Sequence, residues 1–373
     1  MQSSYCYLGI YISNTGNFSK SHDNLYKKAI RAQYSIFSSL SMHSDEPNAP
    51  LFLRLFDSLL KPILLYGSEI WGVCKPLKKD KNGDFVTPNC SSNIKTIDNF
   101  VNQYYRNILG VPKNCSTVGI HRELGRLPIK INIFKSMIHY WFRLVTLPKD
   151  RLISHCYWSL FNNPDIHDDW MSSIKNIIQS SGLAYLWTDQ SMLHSLEPCV
   201  ISNLTTTMFK SLECQSLQNA NSEINQQNKL HLFKNVDHSL KPAPYLSKIH
   251  GRSVRSLFSK LRLGTLPLEI ETGRHIQIDS NKRFCKLCHS DKIGNEIHFL
   301  FDCPALDATR KPLLDKIISA FPRLQSLSTK EKTLSIFFNN QLDQPTLSLA
   351  STLLNELFSN RDKQLLSVNA TPI

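Results

Sequence analysis

The sequence predicts a mainly α-helical protein with one short strand near its beginning and a small metal-binding segment near its end. Apolar residues recur at alternating steps of three and four over several stretches, as amphipathic helices require. The 373 residues contain only 13 glycines against 18 prolines, a composition that favours helices with proline-marked ends over a sandwich or barrel. A chain of this length is sufficient for two or three domains.

The strand is predicted at Tyr5 to Ser13, where the run YCYLGIYIS is apolar and rich in β-favouring residues. No second strand signal lies nearby, so this strand is expected to lack a partner. Because unpaired strand edges are a liability, we expect the chain to begin within an older, longer protein. Asn14 to Asn17 has the composition of a turn.

Helices in the first half are predicted from apolar spacing. They are expected at residues 21–41, 51–73 (kinked or interrupted at Pro62), 94–109 and 131–147, with a turn-like segment at 121–129. In the helix at 94–109, the apolar stripe ends at Gly110 and Pro112, as a helix end should.

Composition divides the chain into five segments. They are a helical segment after the strand (1–75), a polar linker (76–92), a long run of helices (93–240), a basic segment with the metal motif (241–310), and C-terminal helices with a tail (311–373). In the last part, amphipathic segments are predicted at 304–321, 329–338 and 345–358, and the polar residues beyond them are expected to fray.

One acidic pair, Asp168 and Asp169, superficially offers two ligands for magnesium. A polymerase pair would lie between apolar β-strands, whereas here Pro164 precedes the pair and an amphipathic helix follows it. Both aspartates are therefore predicted to be N-cap and first-turn residues, which accept hydrogen bonds from free backbone N–H groups.

Near the end, four potential metal ligands have the spacing C-x2-C-x9-H-x4-C: Cys285, Cys288, His298 and Cys303. Two cysteines separated by two residues place both thiolates on one side of a tight turn, and a later His and Cys can complete a tetrahedral zinc site. Four protein ligands leave no open position for water, so this single zinc ion is expected to be structural and not catalytic.

Other interpretations of these four residues exist. Cys285 and Cys288 alone fit a redox pair or two core cysteines, and His298 and Cys303 fit an apolar helical face. His289 is a competing ligand, but choosing it would leave only adjacent residues and one distant cysteine. The sequence therefore favours zinc with His298.

The formal net charge of +13 favours a polyanionic partner. Positions 241–290 hold ten lysines and arginines and three acids, so a net +7 lies just before and inside the metal motif. A helix is expected at 253–263 with basic residues beside its apolar stripe. The predicted nucleic-acid contacts are Lys248, Arg252, Arg255, Lys260, Arg262, Arg274, Lys282, Arg283, Phe284 and Lys286. The alternative is an ordinary solvated charged face.

The ten cysteines argue for a reducing compartment. Seven of them are scattered singly outside the metal motif, which is an odd number for a disulfide framework. The N-terminus lacks a signal-peptide pattern, and no run of 18 apolar residues spans a membrane. We therefore expect a nuclear or cytoplasmic protein that is neither secreted nor membrane-bound.

An ordered series of short motifs resembles the C-terminal third of the reverse transcriptase polyprotein of non-LTR (LINE-type) retrotransposons. The series runs from Tyr7-Leu8-Gly9 with Gly16 and Phe18, through KPILLYGSEIWG (61–72), RNILGV (106–111) and ELGRLPI (123–129), to RLGTLPLEIETGR, RFCKLC and EIHFLFDCP, ending at Arg310. It covers residues 5 to about 315, and only the metal motif is specific by itself.

The resemblance implies a helical thumb-like segment after the strand, a helical connector and a C-terminal CCHC zinc knuckle that helps to hold RNA and DNA. The polymerase palm motif and the endonuclease of that family are not found in this sequence, so polymerase activity does not carry over. The function expected is therefore a non-catalytic nucleic-acid-binding fragment of such an element. The alternative is a zinc-stapled helical scaffold that binds a protein partner.

Overall fold

The computed structural model describes residues 4–14, 18–41, 49–72, 92–163, 169–236, 240–249 and 251–369. The prediction of a mainly α fold is confirmed in these residues. Their helices are α1 Ser19–Ser41, α2 Ala49–Leu55, α3 Lys61–Leu64, α4 Ser68–Trp71, α5 Ser92–Leu109, α6 Thr117–Glu123, α7 Ile129–Thr146, α8 Leu152–Asn162, α9 Asp169–Ser180, α10 Tyr185–Thr188, α11 Pro198–Gln226, α12 Tyr245–Lys248, α13 Arg252–Arg262, α14 Glu269–His275, α15 Asp307–Ala320, α16 Thr329–Thr333 and α17 Gln344–Asn369.

The chain divides into two compact units, each built from three separate stretches. The first unit comprises Met1–Ser39, Arg54–Val101 and Leu127–Asn221, and the second comprises Leu40–Leu53, Asn102–Arg126 and Ser222–Ile373. The five linear segments predicted from the sequence are a division by composition, and they stay a prediction. Most of the predicted linker, up to residue 91, lies outside the described residues.

The predicted N-terminal strand is instead a hairpin, so the expectation of an unpartnered strand is corrected. Strand β1 (Ser4–Tyr7) pairs antiparallel with β2 (Ile10–Ser13), and Tyr7 faces Ile10 across the turn. Leu8 and Gly9 form this turn with φ of 47° and 86°. Two residues with positive φ form the tight hairpin turn that matches the twist of its strands.

The long core helix predicted at 51–73 is divided into four parts. Helix α2 passes into a π-helical stretch, Phe56–Leu60, and then into α3, where Pro62 lies in the first turn. Gly67, with φ of 70°, separates α3 from α4. A Cβ on Gly67 would lie 2.2 Å from the Ile10 side chain, so this break requires glycine.

The core of the first unit is built around α7. Helix α4 packs closely against it at Gly72, where a Cβ would lie 2.7 Å from the Ile133 side chain. Buried polar groups are hydrogen-bonded in series, since the Trp141 indole donates to the Tyr157 hydroxyl at 2.8 Å and that hydroxyl donates to Gln190 at 2.6 Å. The series satisfies polar atoms that would otherwise be costly to bury.

The core of the second unit lies between α13, α17 and a π-helical stretch, Leu334–Phe338. Phe258 of α13 packs against Tyr245 and Phe337, with ring centroids 4.9 and 5.7 Å apart. Helix α17 also packs along α15. It continues to Asn369, well past the predicted end at 358, so a fraying tail is not found in the described residues.

At the centre of this core lies the side chain of Arg262, which is 2 % exposed. Its guanidinium donates to both carboxylate oxygens of Glu123, at 2.5 and 3.2 Å, to the Phe337 carbonyl at 2.9 Å and to Asn340 at 3.2 Å. The ring of Tyr245 lies 5.3 Å from the guanidinium carbon. This charge is therefore buried with its hydrogen-bond donors satisfied.

The predicted turn at 121–129 is partly helical, because α6 extends through Glu123. The turn itself is at Gly125, whose φ is 61° and whose Cβ would lie 2.3 Å from the backbone of Lys241. Glu123 also accepts the Ala243 amide on its carbonyl, at 2.9 Å. The short motif E-x-G thus places one carboxylate and one close backbone contact in the same core.

No helix among the described residues has the length and apolar character to cross a membrane.

Replacing Arg262 with Met tests the role of the buried pair. We expect the free energy of unfolding to fall by about 3–5 kcal/mol, because Glu123 would be left as an uncompensated buried charge. Urea titration followed by circular dichroism measures this. The matched control is Arg252→Met on the same helix, where the side chain is exposed and the change should stay within about 0.5 kcal/mol. Adding Glu123→Met to Arg262→Met should recover much of the loss; a double variant as unstable as the single one contradicts this explanation.

Candidate metal centre and basic surface

The first two cysteines of the metal motif lie in a short hairpin. Phe284 and Ile293 form an isolated antiparallel bridge. The Cys285 amide donates to the Lys292 carbonyl and the Gly294 amide donates to the Arg283 carbonyl, both at 2.9 Å. We call residues 283–294 the metal hairpin. Its turn returns the chain to Cys285 and brings Cys288 beside it.

The other two ligands are brought together by a π-helical turn, His298–Asp302. The Cys303 amide donates to the His298 carbonyl at 2.7 Å, which is the i to i+5 hydrogen bond of a π turn. An ordinary α turn would place residues four apart over one another, so the wider turn suits the x4 spacing of His298 and Cys303.

The ligand atoms of Cys285, Cys288, His298 and Cys303 all lie within 4.8 Å of one another. The sulfurs of Cys285 and Cys303 are 3.9 Å apart, and the Cys288 sulfur is 3.4 Å from Nε2 of His298. Three of the four residues are buried and Cys288 is half-buried. The four side chains predicted from spacing therefore form one cluster that can hold a metal ion, whereas His289 is exposed and lies outside it.

The surroundings of Cys285 favour the thiolate form of this cysteine. The hydrogen bond shared with Cys303 lowers the pKa of Cys285 well below its usual range, against the opposing effect of burial. The same hydrogen bond raises the pKa of Cys303, because the thiol of that pair keeps its proton. The hydrogen bond to Cys285 raises the pKa of His298. The lowered pKa of Cys285 favours its thiolate, which is the form of cysteine that binds metal ions.

Arg310, on α15, fixes the backbone of the π turn. Its guanidinium donates to the carbonyls of Leu300 at 2.8 Å and Cys303 at 2.7 Å, and its other end pairs with Asp307. The side chain is only 3 % exposed. It therefore satisfies backbone carbonyls of the π turn and holds Cys303 in place through its carbonyl group.

A second buried arginine supports the cluster from α17. Arg361 pairs with Glu269 at 2.9 Å, and both side chains are at least nine-tenths buried. Gly294 of the metal hairpin packs directly on this pair, since a Cβ there would lie 2.3 Å from a Glu269 oxygen. The sequence reasoning missed both residues, because an acid and a base 92 positions apart give no local signal.

Two of the predicted nucleic-acid contacts lie in the core. Arg255 is 4 % exposed and donates to the Ile249 carbonyl at 3.4 Å. Arg262 is buried and paired with Glu123, as described above. A phosphate in solvent cannot reach a guanidinium that is buried in this way. Both residues therefore leave the set of predicted contacts.

The other predicted cationic contacts differ in their exposure and in the protein groups to which they donate hydrogen bonds. Lys248 donates to the Leu342 carbonyl at 2.9 Å, and Arg283 donates to the carbonyls of Ile270 and Ile278 at 2.8 Å. Arg274 is exposed but pairs with the buried Glu271. Arg252 is exposed and donates to the Asn107 carbonyl at 3.5 Å, and Lys260 is half-buried.

Several exposed basic and aromatic side chains lie on the metal hairpin and on the residue before it. Lys282, Lys286 and Lys292 are exposed, and Phe284 has 43 % of its surface exposed. Lys292 was missed because it lies two positions beyond the basic window, although it pairs with Cys285 across the hairpin. A groove of about 700 Å³ runs beside this hairpin, lined in part by Phe284, Lys286 and His289.

Asp169 belongs to no group of potential metal ligands among the described residues. Asp169 is the first residue of α9, in agreement with its prediction as a first-turn residue, and Asp168 lies outside the described residues. The cysteines that the structure describes are free thiols: Cys6, Cys115, Cys156, Cys199, Cys214, Cys285, Cys288 and Cys303.

No family model, no curated protein and no solved structure matches the chain.

Replacing Arg310 with Met should weaken metal binding by about 10- to 100-fold, because the carbonyls of the π turn would lose their donor and His298 and Cys303 would be less firmly placed. Competition with a chromophoric chelator for Zn²⁺ measures the affinity. The matched control is Lys311→Met, since Lys311 is the next residue and its side chain is 74 % exposed. Equal affinities in the two variants would contradict the positioning role.

Proposed function

We propose that the cluster binds one zinc ion in a structural role. Three thiolates and one imidazole are a preferred donor set for zinc. Zinc–sulfur bonds of about 2.3 Å and zinc–nitrogen bonds of about 2.0–2.1 Å give tetrahedral edges of about 3.8 Å between sulfurs and about 3.6 Å between sulfur and nitrogen. The separations of 3.9 Å for Cys285–Cys303 and 3.4 Å for Cys288–His298 support this assignment.

Purified protein should contain close to one zinc per chain, and the double variant Cys285→Ser, Cys288→Ser should contain none, because serine hydroxyls do not replace thiolates at neutral pH. Plasma emission spectroscopy measures the metal. The control, Cys199→Ser with Cys214→Ser, removes two exposed thiols from α11 and should keep full zinc. Zinc retained by the Cys285/Cys288 variant would refute the site.

We further propose that the protein is a non-catalytic nucleic-acid-binding module, similar to the C-terminal region of a LINE-type reverse transcriptase. The observation that carries the proposal is the combination on the metal hairpin and the residue before it: exposed Lys282, Lys286 and Lys292, together with the exposed ring of Phe284 beside an open groove. Lysines neutralise phosphates, and an exposed aromatic ring stacks on unpaired bases.

This arrangement favours single-stranded RNA or DNA over duplex. A ring can stack only on a base whose face is free, and stacking contributes about 1–3 kcal/mol per base. In a duplex the base faces are covered, and only the lysine–phosphate contacts remain. Because the lysines lie on a hairpin fixed by the metal cluster, their spacing is set before binding.

The proposal includes a nuclear or cytoplasmic setting, which is supported by the free thiols among the described cysteines. It assigns the protein no catalytic step. The competing function is a zinc-stapled scaffold that binds a protein partner, in which case the lysines serve solubility alone.

Replacing Lys282, Lys286 and Lys292 with Gln should weaken binding to a 15-nucleotide single strand at low salt, whatever its sequence. Three lost phosphate contacts should also reduce the slope of log affinity against log salt by about 2. Fluorescence anisotropy at several salt concentrations measures both quantities.

The control for charge replaces Lys316, Arg323 and Lys330 with Gln; these exposed cations lie on α15, the following turn and α16, outside the metal hairpin. Phe284→Ala should weaken single-strand binding more than duplex binding, whereas Phe321→Ala, at another exposed ring, should not. If the Lys282, Lys286 and Lys292 variant binds as tightly as this control, nucleic-acid binding through the hairpin is contradicted and the scaffold function is favoured.

A further inference from the structure

A second concave site adjoins the metal hairpin. It is a cavity of about 590 Å³ in the second unit, lined in part by Arg274, Arg283 and Asn295. The volume lies within the range of about 300–1,000 Å³ that is typical of small-ligand sites. Arg283 lines this cavity, while the next residue, Phe284, lines the groove described above. The cavity therefore lies next to the surface proposed to hold a strand.

One edge of the Arg274 guanidinium is held by the protein. Its Nη1 donates to Oε2 of Glu271 at 2.8 Å, whereas its Nε and Nη2 have no acceptor among the described residues. The side chain is 39 % exposed. Glu271 also pairs with Lys229, so one negative charge is shared between two positive charges. The buried carboxylate thus orients Arg274 and leaves its other edge available to an anion.

The Arg283 side chain is fixed in the same cavity wall. Its stem packs on Gly273, where a Cβ would lie 2.8 Å from Cγ of Arg283. Its Nε and Nη1 donate to the carbonyls of Ile278 and Ile270, both at 2.8 Å. Its Nη2 makes no hydrogen bond within the described part of the chain, and it is not one of the enclosed unpaired atoms found there. Two neutral carbonyls therefore position this guanidinium without neutralising its charge.

Asn295 adds a neutral donor to the cavity. Its Oδ1 accepts the His298 amide at 2.9 Å, which orients the side chain, and its Nδ2 has no acceptor among the residues described. The cavity thus has three positioned side chains with donors that no protein group uses.

Carboxyl groups also line the cavity, but they are buried. Glu271 is 5 % exposed and is paired as described above, and Glu296 is likewise 5 % exposed. The available donors belong to Arg274, which is exposed, and to Arg283 and Asn295, which are half-buried. A ligand that enters from solvent therefore meets mainly cationic and neutral donors, an arrangement that favours an anion.

We propose that this cavity binds a phosphate monoester, the group carried by a phosphorylated end of a nucleic-acid strand and by a free nucleotide. Its oxygens would accept hydrogen bonds from the available edges of Arg274 and Arg283 and from Nδ2 of Asn295. The inference rests on the nucleic-acid binding proposed above and adds recognition of a strand end to it.

A monoester suits a concave site better than an internal phosphodiester does. An internal phosphate has a sugar on each side, so two continuations of the strand would have to leave the cavity. A terminal phosphate needs one exit, presents three free oxygens and carries close to two negative charges at neutral pH. Guanidinium groups bind such oxygens through parallel N–H groups, whereas the lysines of the metal hairpin bind phosphate as point charges.

The test compares three 15-nucleotide single strands of one sequence, with a phosphate at the 5′ end, at the 3′ end or at neither end. We expect the zinc-loaded protein to bind at least one phosphorylated strand about tenfold more tightly than the unphosphorylated strand, which corresponds to one hydrogen bond to a charged group. Fluorescence anisotropy with an internal fluorophore, in a buffer without phosphate, measures this ratio.

Arg274→Gln should reduce the ratio to about one, because the available guanidinium edge is removed while Glu271 keeps its pair with Lys229. Ser280→Trp supplies an independent test, since Ser280 is an exposed residue of the cavity wall and a bulky ring there should also remove the ratio. Zinc content and circular dichroism verify that both variants are folded. Arg323→Gln, at an exposed arginine outside the cavity lining, is the matched control and should keep the ratio.

The variant with Lys282, Lys286 and Lys292 replaced by Gln separates the two kinds of contact. It should bind all three strands more weakly and still prefer the phosphorylated strand, because the arginines of the cavity are unchanged. If the strands bind but the parent shows a ratio of one, or if the ratio is unchanged in both Arg274→Gln and Ser280→Trp, the cavity proposal is overturned and the nucleic-acid function stands.

Calorimetric titration with inorganic phosphate and with adenosine monophosphate distinguishes the two sources of the monoester. Adenosine monophosphate that binds as tightly as the phosphorylated strand indicates a free nucleotide, whereas weaker binding indicates a strand end. Binding of either small ligand that is lost in Arg274→Gln supports the cavity even if no strand binds, an outcome that would overturn the nucleic-acid function alone. A parent protein that binds neither the small ligands nor any strand overturns both proposals.

Discussion

The second unit is organised around one buried ion pair, that of Arg262 with Glu123. A buried guanidinium is tolerated only when its donors are satisfied and its charge is balanced. Here Glu123 balances the charge, while the Phe337 carbonyl and Asn340 accept further hydrogen bonds. The contacts bring together α6, α13 and the stretch that follows α16. An apolar residue would fill the same space, but it would not specify which of these segments meet.

The metal cluster is held by the same kind of interaction. Arg310 satisfies the carbonyls of the π turn, and Arg361 pairs with Glu269 beneath the metal hairpin. Each of these arginines comes from a helix C-terminal to the motif, α15 or α17. The four ligands are close in sequence, but their placement depends on contacts with residues up to 58 positions beyond Cys303. A peptide of the motif alone would lack that support.

Patterns that depend on local spacing were predicted well from the sequence. The buried stripe of α5, including Ile94, Ile97 and Tyr104, lies where the three- and four-residue steps placed it, and the cluster contains the four residues that the metal spacing selected. The hairpin at 4–13 was missed because its turn consists of Leu8 and Gly9, and leucine with positive φ is not a recognised turn signal.

The basic residues were the hardest to place, because net charge carries no information about burial. Arg255 and Arg262 were expected to flank the apolar stripe of their helix. Their positions three before and four after Phe258 in fact place them on its buried face. Spacing could have raised that possibility, but only the three-dimensional partner of Arg262, Glu123, shows why a charge is stable there.

Because Arg255 and Arg262 are buried, fewer cations are available at the surface than the net charge of this segment suggests. A positive charge that is buried in the core cannot contact a polyanion. The cations available for such a contact are those whose side chains end in solvent. On the metal hairpin these are lysines, which bind phosphate as point charges and impose little geometry. Phosphate contacts of that kind hold a strand without reading it.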